Sequence, residues 1–437
     1  MKRALLFFLL CFFSIEGVGQ EWTLTSAPFT NWASIACSAD GTKVIAAVGG
    51  WRSGPAPYPP AGPIYISTNS GLNWIVSGAP ITNWSVISSS ADGTKLAAGL
   101  FQYFSTDPIY SSIDSGVSWY PTGSPVTNSW VSLQSSADGR TMIASFPDYG
   151  HVPGGVFVST NWSVDWTQPL QDYYPWPSVV CSADGKTMVA SDGFGYPGTL
   201  HRSTDSGQTW SFVDSTDVYS FALLSLSADG NRLVAAVRGS GIYISTNLGN
   251  SWQGTSAPNT YWGCLASSAD TKTLVAAFGS HDGYYPTTIG SLYFSTNSGM
   301  SWSRAALADA NWASVASSAD GAKLFAADSN GGIYTWQTVP APALSIGGSG
   351  TNLLLSWLVP SRNFVLQQNL DLATTNWTDV VKMLTLNFSN LHYEVTVPEQ
   401  TGTRLFRLAL RPATEQRNVE KQSFTPSKSN SKLKVLY

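Results

Sequence analysis

The stretch WSVISSSADGTKLAAGL, Trp84 to Leu100, decides the fold. Two runs of apolar and small residues flank Ser90-Ala91-Asp92-Gly93. An Asp whose side chain bonds nearby backbone, followed by a Gly free to take positive φ, makes a hairpin turn between two strands. Ser-Ala-Asp recurs seven times, ending at Asp40, Asp92, Asp138, Asp184, Asp229, Asp270 and Asp320, and Gly follows every copy but one, where Thr271 stands. The spacings are 52, 46, 46, 45, 41 and 50 residues. Periods in this range mark propeller or solenoid arrays. Composition agrees: only 11% of the 437 residues are charged, while Gly, Ser, Thr, Trp and Tyr are abundant, which suits short strands joined by tight turns.

A second signature follows six of the hairpins: Ser67-Thr68-Asn69-Ser70-Gly71-Leu72-Asn73-Trp74, then versions ending at Trp119, Trp166, Trp210, Trp252 and Trp302. The pattern resembles the Asp-box, or BNR repeat, of sialidase-like β-propellers, which reads Ser-x-Asp-x-Gly-x-x-Trp. The resemblance covers residues 22 to 336. Asn replaces the box Asp at Asn69, Asn161, Asn247 and Asn297, Asp114 and Asp205 keep it, and Ser163 stands where the third box should have Gly. Asn caps such a turn through the same side-chain oxygen, so the turns are expected to survive, with Ser163 the most demanding.

Seven hairpins against six boxes leave the last repeat one strand short. Residues Glu21-Trp22-Thr23-Leu24-Thr25-Ser26-Ala27-Pro28 match the fourth-strand text that ends at Pro80 and can supply it. The expectation is an all-β chain: a seven-bladed β-propeller closed by its own N-terminal strand, which removes free sheet edges, followed by a small β-sandwich. The predicted divisions are a signal peptide over 1–19, the propeller over 20–338, a Pro-rich linker over 339–343, a β-sandwich over 344–410 and a disordered basic tail over 411–437. The 344–410 region carries strand-like runs at Leu353–Leu358, Asn363–Gln368, His392–Val397 and Arg404–Leu410. With Trp357, Phe364, Trp377 and Phe406 alternating, it resembles a fibronectin-type module.

Lys2 and Arg3, an apolar run from Ala4 to Phe13 and small residues at Gly17-Val18-Gly19 predict export to the cell surface, periplasm or medium. The run is shorter than the roughly 20 apolar residues of a membrane span. Cys11 sits within it; Cys37, Cys181 and Cys264 have no paired spacing and no nearby His, so neither a disulfide framework nor a metal site is expected. Residues 20 to 410 carry 15 basic and 24 acidic side chains, which disfavours nucleic-acid binding. No cofactor is expected and a monomer is.

Any residue found in every repeat belongs first to the architecture. The inner-strand aromatics Trp32, Trp84, Trp130, Trp176, Phe221, Trp262 and Trp312 can wedge between sheets or form a stacking ring at a channel mouth; packing is the simpler reading. The repeated Asp residues cap their own turns rather than serving as catalytic carboxylates. In the family resembled, box turns lie away from the active face. Function is therefore expected on the loops entering each blade and on those between second and third strands, which differ among repeats. Their candidate ligand-binding residues are Trp51, Arg52, Tyr58, Tyr103, Tyr149, His151, Tyr196, His281, Asp282, Tyr284 and Tyr285.

The resemblance implies three arginines, a Tyr-Glu pair and an Asp acid for sialidase chemistry. Here only Arg52 and Arg238 fall on the expected face: Arg140 and Arg232 lie at hairpins, Arg202 in a third strand and Arg304 in a fourth. The loop acids Asp107, Asp148, Asp192 and Asp282 can in principle pair for glycoside hydrolysis. The reading is a non-catalytic recognition protein for a glycan or extracellular protein. The alternatives are a polysaccharide-active glycosidase on the same scaffold, or an assembly factor, a role that the family resembled also includes.

Overall fold

The computed structural model describes residues 21–49, 61–101, 108–125, 129–147, 154–172, 178–192, 199–214, 221–237, 239–278 and 289–337; in the C-terminal part it describes 344–349, 352–358, 364–370, 374, 376–380, 385–387, 392–398 and 405–410. The predicted signal peptide, linker and tail lie outside them. The described residues are all-β and form two compact units, one spanning Trp22–Gln337.

The first unit is built from four-stranded antiparallel sheets, seven among the described residues. Trp32–Cys37, Val44–Val48, Ile64–Ser67 and Ile75–Val76 make the first, and the pattern repeats through inner strands beginning at Trp84, Ser132, Ser178, Phe221 and Trp262. The last sheet has Trp312–Ser317, Leu324–Asp328 and Ile333–Gln337 from its own repeat and takes Glu21–Leu24 as its outer strand. Thr25 N–H donates to the Ile333 carbonyl at 2.8 Å and Thr23 Oγ1 to the Thr335 carbonyl at 3.4 Å. Each inner strand touches the next, and the strand from Trp312 touches the strand from Trp32.

The Ala of Ser-Ala-Asp has a task that the turn reading does not assign to it. Ala39 N–H donates to the Ala91 carbonyl, Ala91 to Ala137, and so on through Ala183, Ala228, Ala269 and Ala319, whose N–H returns to Ala39, at 2.7–2.9 Å throughout. Seven hairpins thus share one closed circuit of backbone hydrogen bonds. The free edges of the inner strands are satisfied in a related way. Ser34 Oγ accepts from Ile87 N–H at 3.2 Å, Ser88 Oγ from Ser135 N–H at 3.0 Å, Ser132 Oγ from Val179 N–H at 3.1 Å, and Ser178 Oγ from Leu224 N–H at 3.0 Å. Buried N–H groups need such partners, which explains the serines in strands that must also be small.

Within each hairpin the Ser hydroxyl donates to the Asp carboxylate at 2.5–2.8 Å and accepts the N–H five residues on at 2.9–3.0 Å. These bonds hold all seven hairpin carboxylates below the usual range, the Ser hydroxyl being the largest cause except at Asp270, where the Lys272 N–H leads. Asp40 and Asp270 are lowered to about 2. A depressed carboxylate stabilises the fold above its unfolded pKa of about 3.9 and loses that contribution as pH falls through the folded value. The urea midpoint is therefore expected to be level from pH 7 to about 5 and to fall between about pH 4 and 2; a midpoint unchanged at pH 2 would refute the capping account.

Packing lies between sheets. Trp32, Trp84, Trp130, Phe221, Trp262 and Trp312 are buried, which assigns them to packing rather than to a stacking ring; Trp176 lies outside the described residues. Each of the four indoles Trp32, Trp84, Trp130 and Trp262 meets a third-strand ring edge-on, at 5.4–5.8 Å from Tyr65, Tyr110, Phe157 and Tyr293, and a box Trp at 6.2–6.4 Å. Such edge-to-face pairs add about 0.5–1.5 kcal/mol beyond area burial. Burial pushes the thiols of Cys37, Cys181 and Cys264 up to about 12, which leaves them inert at neutral pH.

The second unit contains a four-stranded sheet, Ser345–Ser349, Asn352–Leu358, His392–Pro398 and Thr385–Asn387, and a three-stranded one, Thr378–Asp379, Phe364–Asn369 and Leu405–Leu410. Leu355, Leu366, Val395, Val397 and Leu408 form its core. The strands at Ser345, Thr378 and Thr385 are additional to those read from the sequence. Phe406 packs against this core, and the Arg407 guanidinium lies over the Trp377 ring at 4.2 Å.

Candidate functional site

Both repeated turns adjoin on one face. In five sheets the box residue with positive φ donates its N–H to the carbonyl just past the hairpin Asp: Ser70 to Thr42, Ser115 to Thr94, Trp162 to Arg140, Ser206 to Lys186 and Ser298 to Lys272, at 2.8–3.0 Å. A box is a small closed circuit. Ser112 Oγ donates to Asp114 at 2.8 Å and accepts Gly116 N–H at 2.9 Å, Asp114 accepts Ser118 N–H at 2.9 Å, and Trp119 Nε1 donates to the Gly116 carbonyl at 3.2 Å. In every box the Asx Oδ1 accepts from the box Ser hydroxyl and from the N–H four residues on, so it caps its own turn.

The third box forms without its glycine. Trp162 and Ser163 both take positive φ, 63° and 65°, and Ser163 N–H still reaches Ser159 Oγ at 3.1 Å. Thr271 holds the hairpin glycine position at φ 56°, fully buried, with its hydroxyl unpaired among the described residues. Left-handed backbone costs a residue with a Cβ about 1–2 kcal/mol, and an unpaired buried hydroxyl adds to the strain. Ser163→Gly is expected to stabilise by about 1 kcal/mol and Thr271→Gly by about 2, raising the thermal midpoint by a few degrees; calorimetry showing a loss at Thr271→Gly would overturn the strain assignment.

The opposite face carries the unequal loops, and the described residues there are their roots. Asn31 Nδ2 donates to the Gly49 carbonyl at 2.6 Å while Gly49 N–H donates to the Asn31 carbonyl at 3.0 Å. Asn83 and Phe101 repeat that reciprocal clamp at 2.9 and 3.0 Å. Gly49 sits at φ 147°, where an added Cβ would lie 2.5 Å from the Trp84 backbone, so only glycine fits the start of the first long loop. On the sixth sheet Arg304 bonds Asp309 at 2.6 Å and Ser291 at 2.9 Å, tying a fourth strand to the root of the preceding loop. Rigid roots of this kind are what a recognition loop needs.

All of the sequence-derived ligand residues, Trp51, Arg52, Tyr58, Tyr103, Tyr149, His151, Tyr196, His281, Asp282, Tyr284 and Tyr285, lie outside the described residues, as do Asp107, Asp148 and Arg238. Asp192 alone of the four loop acids is described, and it is buried rather than presented on the surface. Arg202 and Arg304 are in a third and a fourth strand.

No known protein family matches the sequence, and no curated protein does either. Solved structures do. A GH74 enzyme from Niastella koreensis aligns over 89% of this chain and 74% of its own, with 12% identity and a TM-score of 0.53. YCF48 from Cyanidioschyzon merolae aligns over 72% and 98%, with 14% identity and a TM-score of 0.51, and the protein U3-55K over 73% and 100% at the same identity and score. The GH74 enzyme and YCF48 are β-propellers, and the likeness, at identities this low, extends to fold alone: the unit Trp22–Gln337 has the β-propeller fold.

Proposed function

We propose that this chain is an exported, non-catalytic recognition protein: a seven-bladed propeller, closed by Glu21–Leu24, that offers its long-loop face to a glycan or an extracellular protein, with residues 344–410 as a fibronectin-like spacer or attachment module. One observation carries the reading. The chemistry-bearing residues of the repeats, hairpin Ser and Asp, box Ser and Asx, and inner-strand Trp, are consumed by turns and packing, while the unequal loops leave from clamped roots such as Asn31–Gly49. Loops on a rigid scaffold that are rich in Tyr and Trp give large contact area at low entropic cost.

A panel of glycans and extracellular proteins tests it. Trp51→Ala or Tyr284→Ala should weaken a detected ligand at least tenfold, about 1.4 kcal/mol, without release of sugar. Binding indifferent to both substitutions would move the site off this face. The similarity to a GH74 enzyme favours polysaccharide-active hydrolysis as the second reading. Reducing sugar released by the chain and abolished by Asp282→Asn would establish that alternative.

A further inference from the structure

The repeats also mark a second place, on the face opposite the long loops, where one repeat carries a charge at a position that is uncharged in the others. The residue just before each box Ser is Ile66, Ser111, Val158, Arg202, Ile244 and Phe294 in turn. Ile66, Val158 and Ile244 are buried between adjacent sheets and Phe294 packs there too. Arg202 takes that position between the fourth and fifth sheets, and a cleft of about 480 Å³ lies beside it. That is within the usual range of small-ligand sites, about 300–1,000 Å³.

The cleft is polar and its chemistry is one-sided. Arg202 is the one charged residue lining it; the rest are Thr, Ser, Asn, Trp210 and Leu248. Arg202 Nε meets Ser211 Oγ at 3.3 Å, and Nη1 meets the Leu248 carbonyl at 3.5 Å and Asn250 Oδ1 at 3.3 Å, so the guanidinium is held across the two sheets by neutral acceptors alone. Among the described residues it forms no ion pair. Two ionised carboxylates stand behind the lining, Asp205 accepting from Thr209 and Asp229 from Asn231, and neither bonds Arg202 among the described residues. Thr204 and Thr246, one from each sheet, line the cleft with hydroxyls that make no hydrogen bond among the described residues.

We propose that this cleft is a ligand site, separate from the long-loop face, for one acidic sugar unit of a polysaccharide. The carboxylate or sulfate of the sugar takes the open side of the Arg202 guanidinium, and its ring hydroxyls meet Thr204, Thr246 and the adjacent amides. Bidentate recognition of planar or tetrahedral anions is the work for which arginine is suited. The overall negative charge of the body lowers the on-rate for such a ligand, yet at physiological salt that field is screened beyond roughly 8 Å.

Calorimetric titration of the full chain with oligogalacturonate, a sulfated dextran oligosaccharide and a neutral dextran oligosaccharide of equal length tests the assignment. At least one acidic probe should bind at least tenfold more tightly than the neutral one. Arg202→Gln should abolish that preference, and Thr246→Val should weaken binding severalfold, both at unchanged thermal midpoint. Trp51→Ala and Tyr284→Ala should leave it intact, which separates this site from the loop face. Preference for the uronate or for the sulfate ester identifies which anion the site takes. No binding of either acidic probe, equal binding of the neutral one, or an acidic preference that survives Arg202→Gln would overturn the proposal.

Discussion

Replacing Trp22 by alanine should destabilise the propeller unit by about 3–5 kcal/mol, the usual cost of truncating a buried tryptophan. The side chain lies in the outer strand that comes from the opposite end of the unit. It is buried in one cluster with Leu292, Ala305 and Trp336 and stands edge-on to Phe294 at 6.4 Å. Its loss weakens the strand by which the N-terminal end of the unit pairs with the last repeat, so the effect should exceed that of an equal truncation in an exposed outer strand such as Ile75–Val76. Urea unfolding read by far-ultraviolet circular dichroism measures it. Trp22→Phe should recover more than half of the loss, and a midpoint unmoved by Trp22→Ala would mean that the strand contributes little to closure.

Ser90→Ala should cost about 2–3 kcal/mol, large for the removal of one oxygen atom. Ser90 is fully buried, donates to Asp92 at 2.6 Å and accepts Lys95 N–H at 3.0 Å. Alanine leaves that N–H without its partner and unties the turn whose Ala91 belongs to the backbone circuit. An orphaned buried donor accounts for about 1–3 kcal/mol of this cost. Because the Ser90 hydroxyl is the main cause of the depressed Asp92 carboxylate, the variant should also lose less stability than the parent between pH 4 and 2. Equal acid sensitivity of the two proteins would separate the turn from the pH effect.

Local chemistry was the legible part of this fold. Asp and Gly at Asp92-Gly93 announce a hairpin, and Ser67 to Trp74 a box, because each closes its hydrogen bonds within eight residues. The burial of the inner-strand aromatics also followed from their recurrence in every repeat. What the sequence conceals is pairing between distant residues. Ala39 bonding Ala319 and Ser34 accepting from Ile87 leave no local signature beyond smallness and repetition. The absence of any larger residue at the Ala of Ser-Ala-Asp was the available clue. Thr271 is a second case: its strain is set by a backbone inherited from the repeat, against its own preference.

The candidate site was legible only as a location. Recurrence assigns Trp84 or Asp92 to architecture, but nothing recurs in loops such as 50–60 or 279–288, so no spacing there dictates which side chains converge. Arg202 shows what the same rule yields when turned around. Noted at first only as a third-strand arginine, it gains meaning as the charged exception in a series of mostly apolar residues.

The most direct test of the account is hydrogen exchange at the Thr25 amide. Thr25 N–H bonds the Ile333 carbonyl at 2.8 Å, as Ser77 bonds Ile64, Thr122 bonds Ile109 and Thr255 bonds Ile242 within their own repeats. If residues 21 to 25 complete the seventh blade, Thr25 should exchange as slowly as Ser77, Thr122 and Thr255, and Trp22→Ala should accelerate it. Exchange at the rate of an unstructured terminus, with Ser77, Thr122 and Thr255 protected, would contradict closure by the N-terminal strand.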